Sequence, residues 1–130
     1  MTRHIAATLL LFSLSALGSM ASAGEIKDFS QAEFDRLAQA GKPVVVDVAA
    51  GWCPMCKAQK PILERLMKQP AYQDVTMLKV DFDTQKDALR TFKVGMQGTL
   101  VGFQGAKEVA RSVGDTSEAG IEGLVRKTLN

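Results

Sequence analysis

Histidine is almost absent from this chain: the single one is His4, and it falls in a segment that reads as a removable leader. Without it no imidazole remains for acid–base work or metal ligation, so proton transfer falls to carboxylates, thiols, lysine or water. A dominant charge is lacking too. Sixteen basic side chains stand against fourteen acidic ones, one fewer basic once Arg3 is removed, which leaves no field to gather nucleic acid or anionic lipid. Long apolar runs are missing as well. The longest, residues 5–17, carries Ser13 and Ser15 and falls short of the ~20 residues that span a bilayer. With Arg3 and His4 before it and Ala21-Ser22-Ala23 after it, that run predicts a cleaved secretory signal peptide over residues 1–23. Roughly 107 residues, 24–130, then form one domain. The expected location is the periplasm or another exported space, with no membrane insertion of the mature chain.

Cysteine is scarce, and its two copies stand together in Trp52-Cys53-Pro54-Met55-Cys56. Sulfurs three residues apart can close into a disulfide, so the pair can store and release two electrons without a cofactor. In an oxidising compartment such a pair is either kept reduced by a partner or is itself the oxidant. Two other readings compete. Cys53, Cys56 and Met55 are soft ligands for copper(I), and two chains could supply four thiolates to zinc or an iron–sulfur cluster, although two cysteines without histidine close a site poorly. A purely structural bridge is weaker, because so short a loop removes little unfolded-state entropy.

The remaining pattern alternates helices and strands. Ser30 and Glu33 form a capping box for a helix carrying Phe34, Leu37 and Ala38, stopped at Gly41-Lys42-Pro43. Residues 44–48 are a β-branched run without alternation, the mark of a strand covered on both faces. A second helix follows the cysteines, with Ala58, Ile62 and Leu66 on its apolar face and Pro61 expected to kink it. Residues 75–82 predict a strand, 84–92 a short helix, and 99–103 with 108–113 a hairpin turned at Gln104-Gly105-Ala106. A last helix is expected to be capped by Asp115 or Thr116. The class is α/β, a mixed sheet covered by helices.

With a central strand ending near Ala50, Cys53 falls at a helix N-cap and Pro54 at the first helical position, where its missing N–H has no intrahelical partner. Free amides of Met55 and Cys56 and the helix dipole then favour a thiolate on Cys53, which is expected to be exposed, with Cys56 shielded one turn inward. Val44-Val45-Val46-Asp47, Trp52-Cys53-Pro54-Met55-Cys56-Lys57 and Pro61, followed by residues 79–83, 99–103 and Val113-Gly114, resemble the thioredoxin family over essentially the whole mature chain. The resemblance implies a thioredoxin fold with four to five strands, disulfide exchange with protein thiols and disulfides, and no cofactor. It also implies a proton relay through Asp47 and Lys79. Desolvation of a carboxylate on a buried strand would raise its pKa in the same sense, and a nearby ammonium would temper the shift. Trp52, Pro54 and Met55 would line the substrate contact.

One position departs from the family. The family keeps a cis-proline just before the strand that enters the site, and ungapped alignment puts Gly98 there, with Gln97 as the residue whose backbone pairs with substrate. A cis bond before glycine costs roughly 2.5–4 kcal/mol, so a trans bond and a looser, more open loop are expected. The segment between Phe82 and Thr99 has no room for the helical insert of oxidases of this class. That favours a reductase fed by a membrane electron donor protein.

Overall fold

The structure is a computed structural model that describes residues 23–130; the leader assigned to residues 1–23 lies, apart from Ala23, outside them. Five strands and four α-helices follow in the order β1 (Glu25–Asp28), α1 (Gln31–Gln39), β2 (Pro43–Ala49), α2 (Pro54–Met67), a 3-10 turn (Pro70–Tyr72), β3 (Thr76–Asp81), α3 (Lys86–Phe92), β4 (Thr99–Gln104), β5 (Lys107–Val113) and α4 (Glu118–Lys127). The sheet order is β1-β3-β2-β4-β5. β1 and β2 run parallel to β3, while β4 is antiparallel to β2 and to β5. Among the described residues no helix is long and apolar enough to cross a membrane.

β2 lies at the centre because its valines suit burial on both faces. Val44, Val46 and Val48 enter a cluster with Phe29, Phe34, Phe92 and Phe103, while Val45 joins Leu63, Leu66, Leu100, Ile121 and Val125 under α2 and α4. Four wholly buried valines at roughly 1.5–3 kcal/mol each leave this strand little freedom to slip. Alternate residues of a strand face opposite sides, so Asp47 shares the face of Val45, opposite Lys79 on β3 in the sheet register.

Several expectations are corrected. β1 was not foreseen: Glu25-Ile26-Lys27-Asp28 has one apolar residue, and it becomes a strand by pairing with β3 from Glu25 opposite Thr76 onward. The Ser30 hydroxyl does accept from the Glu33 N–H at 3.1 Å, but the Glu33 carboxylate bonds Lys27 and Arg36 rather than closing a capping box. α4 is capped by Ser117, whose Oγ accepts from the Gly120 N–H. Asp115 instead accepts from the Ser117 N–H and Oγ–H, a local turn that competes with capping. α2 runs through Pro61 and buries Cys56, Gln59, Leu63, Leu66 and Met67; of the expected face Leu66 is buried and Ile62 packs against the core, but Ala58 is exposed.

Candidate active site

β2 ends at Ala49, and the chain turns through Gly51 and Trp52 so that the Cys53 N–H donates to the Ala50 carbonyl at 3.2 Å. Cys53 is the N-cap of α2, with Pro54 in the first helical turn; its Sγ accepts from the Cys56 N–H at 3.2 Å. The two cysteines form a disulfide with their Cα atoms 5.3 Å apart. A helix N-terminus aimed at a sulfur stabilises charge on it when the bond opens.

Cys56 is shielded as expected, but Cys53, expected to be exposed, is buried too. Cys53 is 0% exposed and Cys56 7%. Cys53 packs with Ala50 and Cys56, and Ala49, Met55 and Phe82 lie against that cluster. Cys56, in contrast, lines a cleft of about 780 Å³ together with Asp47, Lys57, Lys60, Lys79 and Asp81. The structure therefore places Asp47, Lys79 and one of the two redox cysteines along the same cleft. Asp47 is buried, and desolvation pushes its pKa up to about 6, with the Lys79 charge pulling the other way. A carboxyl that titrates near neutrality beside a thiol-bearing cleft is equipped to exchange protons there.

On the outer side, Trp52 is 56% exposed, and its indole N–H donates to Asp83 at 2.9 Å. Met96 and Val113 are exposed as well. Val113 pairs with Thr99, and Met96 lies two residues before Gly98, so the exposed apolar side chains flank the loop that leads into β4. Sequence reasoning missed both.

The Gly98 loop is not loose. No peptide bond among the described residues is cis, and Gly98 has φ +77°. Its N–H donates to the Val48 carbonyl at 2.8 Å, and its carbonyl accepts from the Gly114 N–H at 3.0 Å and from Gln59 Nε2 at 3.0 Å. Three bonds replace the stiffness that a proline ring would have given. Gln97, half-buried, makes no backbone hydrogen bond among the described residues, so its edge is free to pair with another chain. Gln59 also escaped the sequence reading. The detectable signal was a polar residue on the helical line Cys56, Gln59, Leu63, at spacings of three and four.

Among the described residues no group of three or more His, Cys, Asp or Glu side chains converges as a metal site would require. A single chain would thus offer a soft ion the two sulfurs and the Met55 thioether.

A disulfide at a helix N-cap, set at the end of the central strand of a mixed five-stranded sheet, defines a thiol–disulfide oxidoreductase of the thioredoxin fold. The family model for thioredoxin matches residues 25–127, and the chain belongs to the thioredoxin family. Thioredoxin-2 of Saccharomyces cerevisiae is 40% identical over 86 residues, covering 65% of this chain and 81% of the yeast protein. Thioredoxin H2-1 of Oryza sativa subsp. japonica is 34% identical over 105 residues, 78% of this chain and 71% of the rice protein. The solved structure of Trxlp from Edwardsiella tarda EIB202 superposes with a TM-score of 0.75 at 44% identity, covering 77% of this chain and 98% of that one.

Proposed function

We propose that the protein is an exported reductase of protein disulfides. The observation that carries disulfide exchange is the Cys53 Sγ at the N-cap of α2 with the Asp47 cleft beside Cys56; the reductase direction is supported by the short segment between Phe82 and Thr99, which has no room for a helical insert beyond α3. In the reduced protein the Cys53 thiolate attacks one sulfur of a substrate disulfide; that S–S bond breaks and the first substrate thiolate leaves. A mixed disulfide now joins Cys53 to the substrate. Cys56, losing its proton through the cleft toward Asp47 and Lys79, attacks Cys53 Sγ and releases the second substrate thiolate. Two electrons have passed to the substrate, and the Cys53–Cys56 bond of the structure results. Cys53 is buried in this disulfide form, and the mechanism requires its sulfur to become accessible once the bond is open. Trp52, Pro54 and Met55 with the free edge of Gln97 and Gly98 make the docking surface.

Export is supported by the basic, apolar and small-residue pattern of residues 1–23, and in an exported space the electrons come from a membrane electron donor protein. Two measurements test the reading. The mature protein from the exported fraction should begin at Gly24 by N-terminal sequencing. The reduction potential of the pair should lie near the thioredoxin value of about −270 mV; one near −120 mV would make the protein an oxidase.

A further inference from the structure

Gln59 is 1% exposed inside α2, and its side-chain amide reaches two backbone segments beyond its own helix. Nε2 donates to the Gly98 carbonyl at 3.0 Å and to the Asp115 carbonyl at 2.8 Å. Its Oε1, equally buried, has no hydrogen-bond partner among the described residues. An unpartnered buried acceptor is destabilising, and an apolar side chain of the same length would avoid it. Two donors aimed at two carbonyls, kept despite that orphan oxygen, point to the loop rather than to the core.

The loop needs such a tie. Gly98 and Gly114 both adopt positive φ, +77° and +73°, and the Gly114 N–H donates to the Gly98 carbonyl. Glycine is the residue with most freedom to leave such a conformation. Met55 fills the space both glycines leave: a Cβ on Gly98 would lie 3.6 Å from Met55 Cε, and one on Gly114 only 3.0 Å from Met55 Sδ. Gln59 and Met55 thus close the same gap from α2, one by hydrogen bonds and one by packing.

We propose that Gln59 is a positioning residue that holds the Gln97–Gly98 backbone edge in register for an extended segment of a protein disulfide substrate. The inference rests on disulfide exchange with protein substrates as the function. Gln59 touches neither reacting sulfur in this role. It acts by fixing the carbonyl of Gly98, and with it the direction in which the unpaired N–H and C=O of Gln97 point. A protein substrate that pairs with that edge uses the tie; a small disulfide that meets only the sulfurs does not.

The test compares wild type with Gln59→Met, which keeps the length and loses both donors. KM for a disulfide-linked protein substrate should rise roughly tenfold with kcat nearly kept, while the rate with a small aromatic disulfide should fall no more than about twofold. In the wild type the Gly98 and Gly114 amides should exchange with solvent far more slowly than the Gly95 amide, and in Gln59→Met the Gly114 amide should lose at least roughly tenfold of that protection. A structural role alone would lower stability without splitting the two substrates. Equal losses on both substrates, or wild-type Gly98 and Gly114 amides that exchange as fast as Gly95, would overturn the proposal even if the variant folds poorly. Wild-type protein inactive on every protein disulfide would instead overturn the function, whereas an active wild type with an unchanged substrate ratio in Gln59→Met would overturn the role of Gln59 alone.

Discussion

Replacing Asp47 by asparagine should make the oxidised protein more stable at neutral pH. The Asp47 pKa is about 6 against an ordinary 3.8, a rise of about two units, and each unit corresponds to 1.36 kcal/mol. Ionised Asp47 therefore costs the folded state about 3 kcal/mol relative to the unfolded chain, with the attraction of Lys79 already counted. Between the unfolded and folded pKa values the folded protein holds more protons than the unfolded one, so its stability falls as pH rises from about 4 to about 6 and is flat above. Asp47→Asn has no such proton to lose. Its advantage should be near zero at pH 4, grow through the window, and settle at about 1–3 kcal/mol by pH 7.5, the lower figure allowing for relaxation around the buried charge. For a domain of this size that is a rise in Tm of roughly 5–15 °C.

Urea titrations of both oxidised proteins from pH 4 to pH 8, read by far-UV circular dichroism with equal m values, measure the difference directly. Parallel pH profiles would refute the reasoning, because they would mean that Asp47 titrates alike in both states. The same substitution should act oppositely on catalysis. Resolution of the mixed disulfide at pH 7 should slow by about a hundredfold, the scale of a lost general base, while its formation at Cys53 is spared. Gain in stability together with loss in the resolving step is the pattern of a group retained for chemistry.

Cys56→Ser should accumulate mixed disulfides with protein substrates on Cys53, visible by non-reducing electrophoresis after rapid alkylation, and Cys53→Ser should accumulate none; the reverse pattern would exchange the two roles. Gly98→Pro should not restore the family geometry: proline cannot reach φ +77°, and it removes the N–H that donates to Val48. A loss of roughly 3 kcal/mol or more in urea unfolding is expected, and unchanged stability would show that the loop has a second accessible conformation.

The elements legible in the sequence were those whose signal is local. Residues 44–48 announce a doubly covered strand through unbroken branching, and Ser30 announces a cap. Cys53 and Pro54 together announce a helix start. β1 was illegible because Glu25–Asp28 carries almost no apolar pattern and owes its conformation to β3. The cap of α4 went astray because Asp115, Thr116 and Ser117 are all capable residues, and a side-chain turn at Asp115 decided among them. The pKa direction of Asp47 could be read early, since a carboxylate in a valine strand has only one way to shift when it loses water.

Loop stiffness was misjudged for a different reason. Absence of proline at position 98 is visible in one residue, whereas what replaces it is spread over four: Val48 on β2, Met55 and Gln59 on α2, and Gly114 after β5. None of these is adjacent to Gly98 in sequence, and each alone has an ordinary explanation as strand, packing or turn. Only their convergence shows how a trans, positive-φ glycine is tied in at this position, by a different set of bonds. The consequence for the site is specific. A proline would present its own ring to the substrate, but this loop presents a bare backbone edge at Gln97 next to the exposed side chain of Met96. Under the proposed function, recognition would rest on main-chain pairing plus apolar contact, a mode that tolerates many sequences and discriminates mainly against substrates unable to extend beside the disulfide.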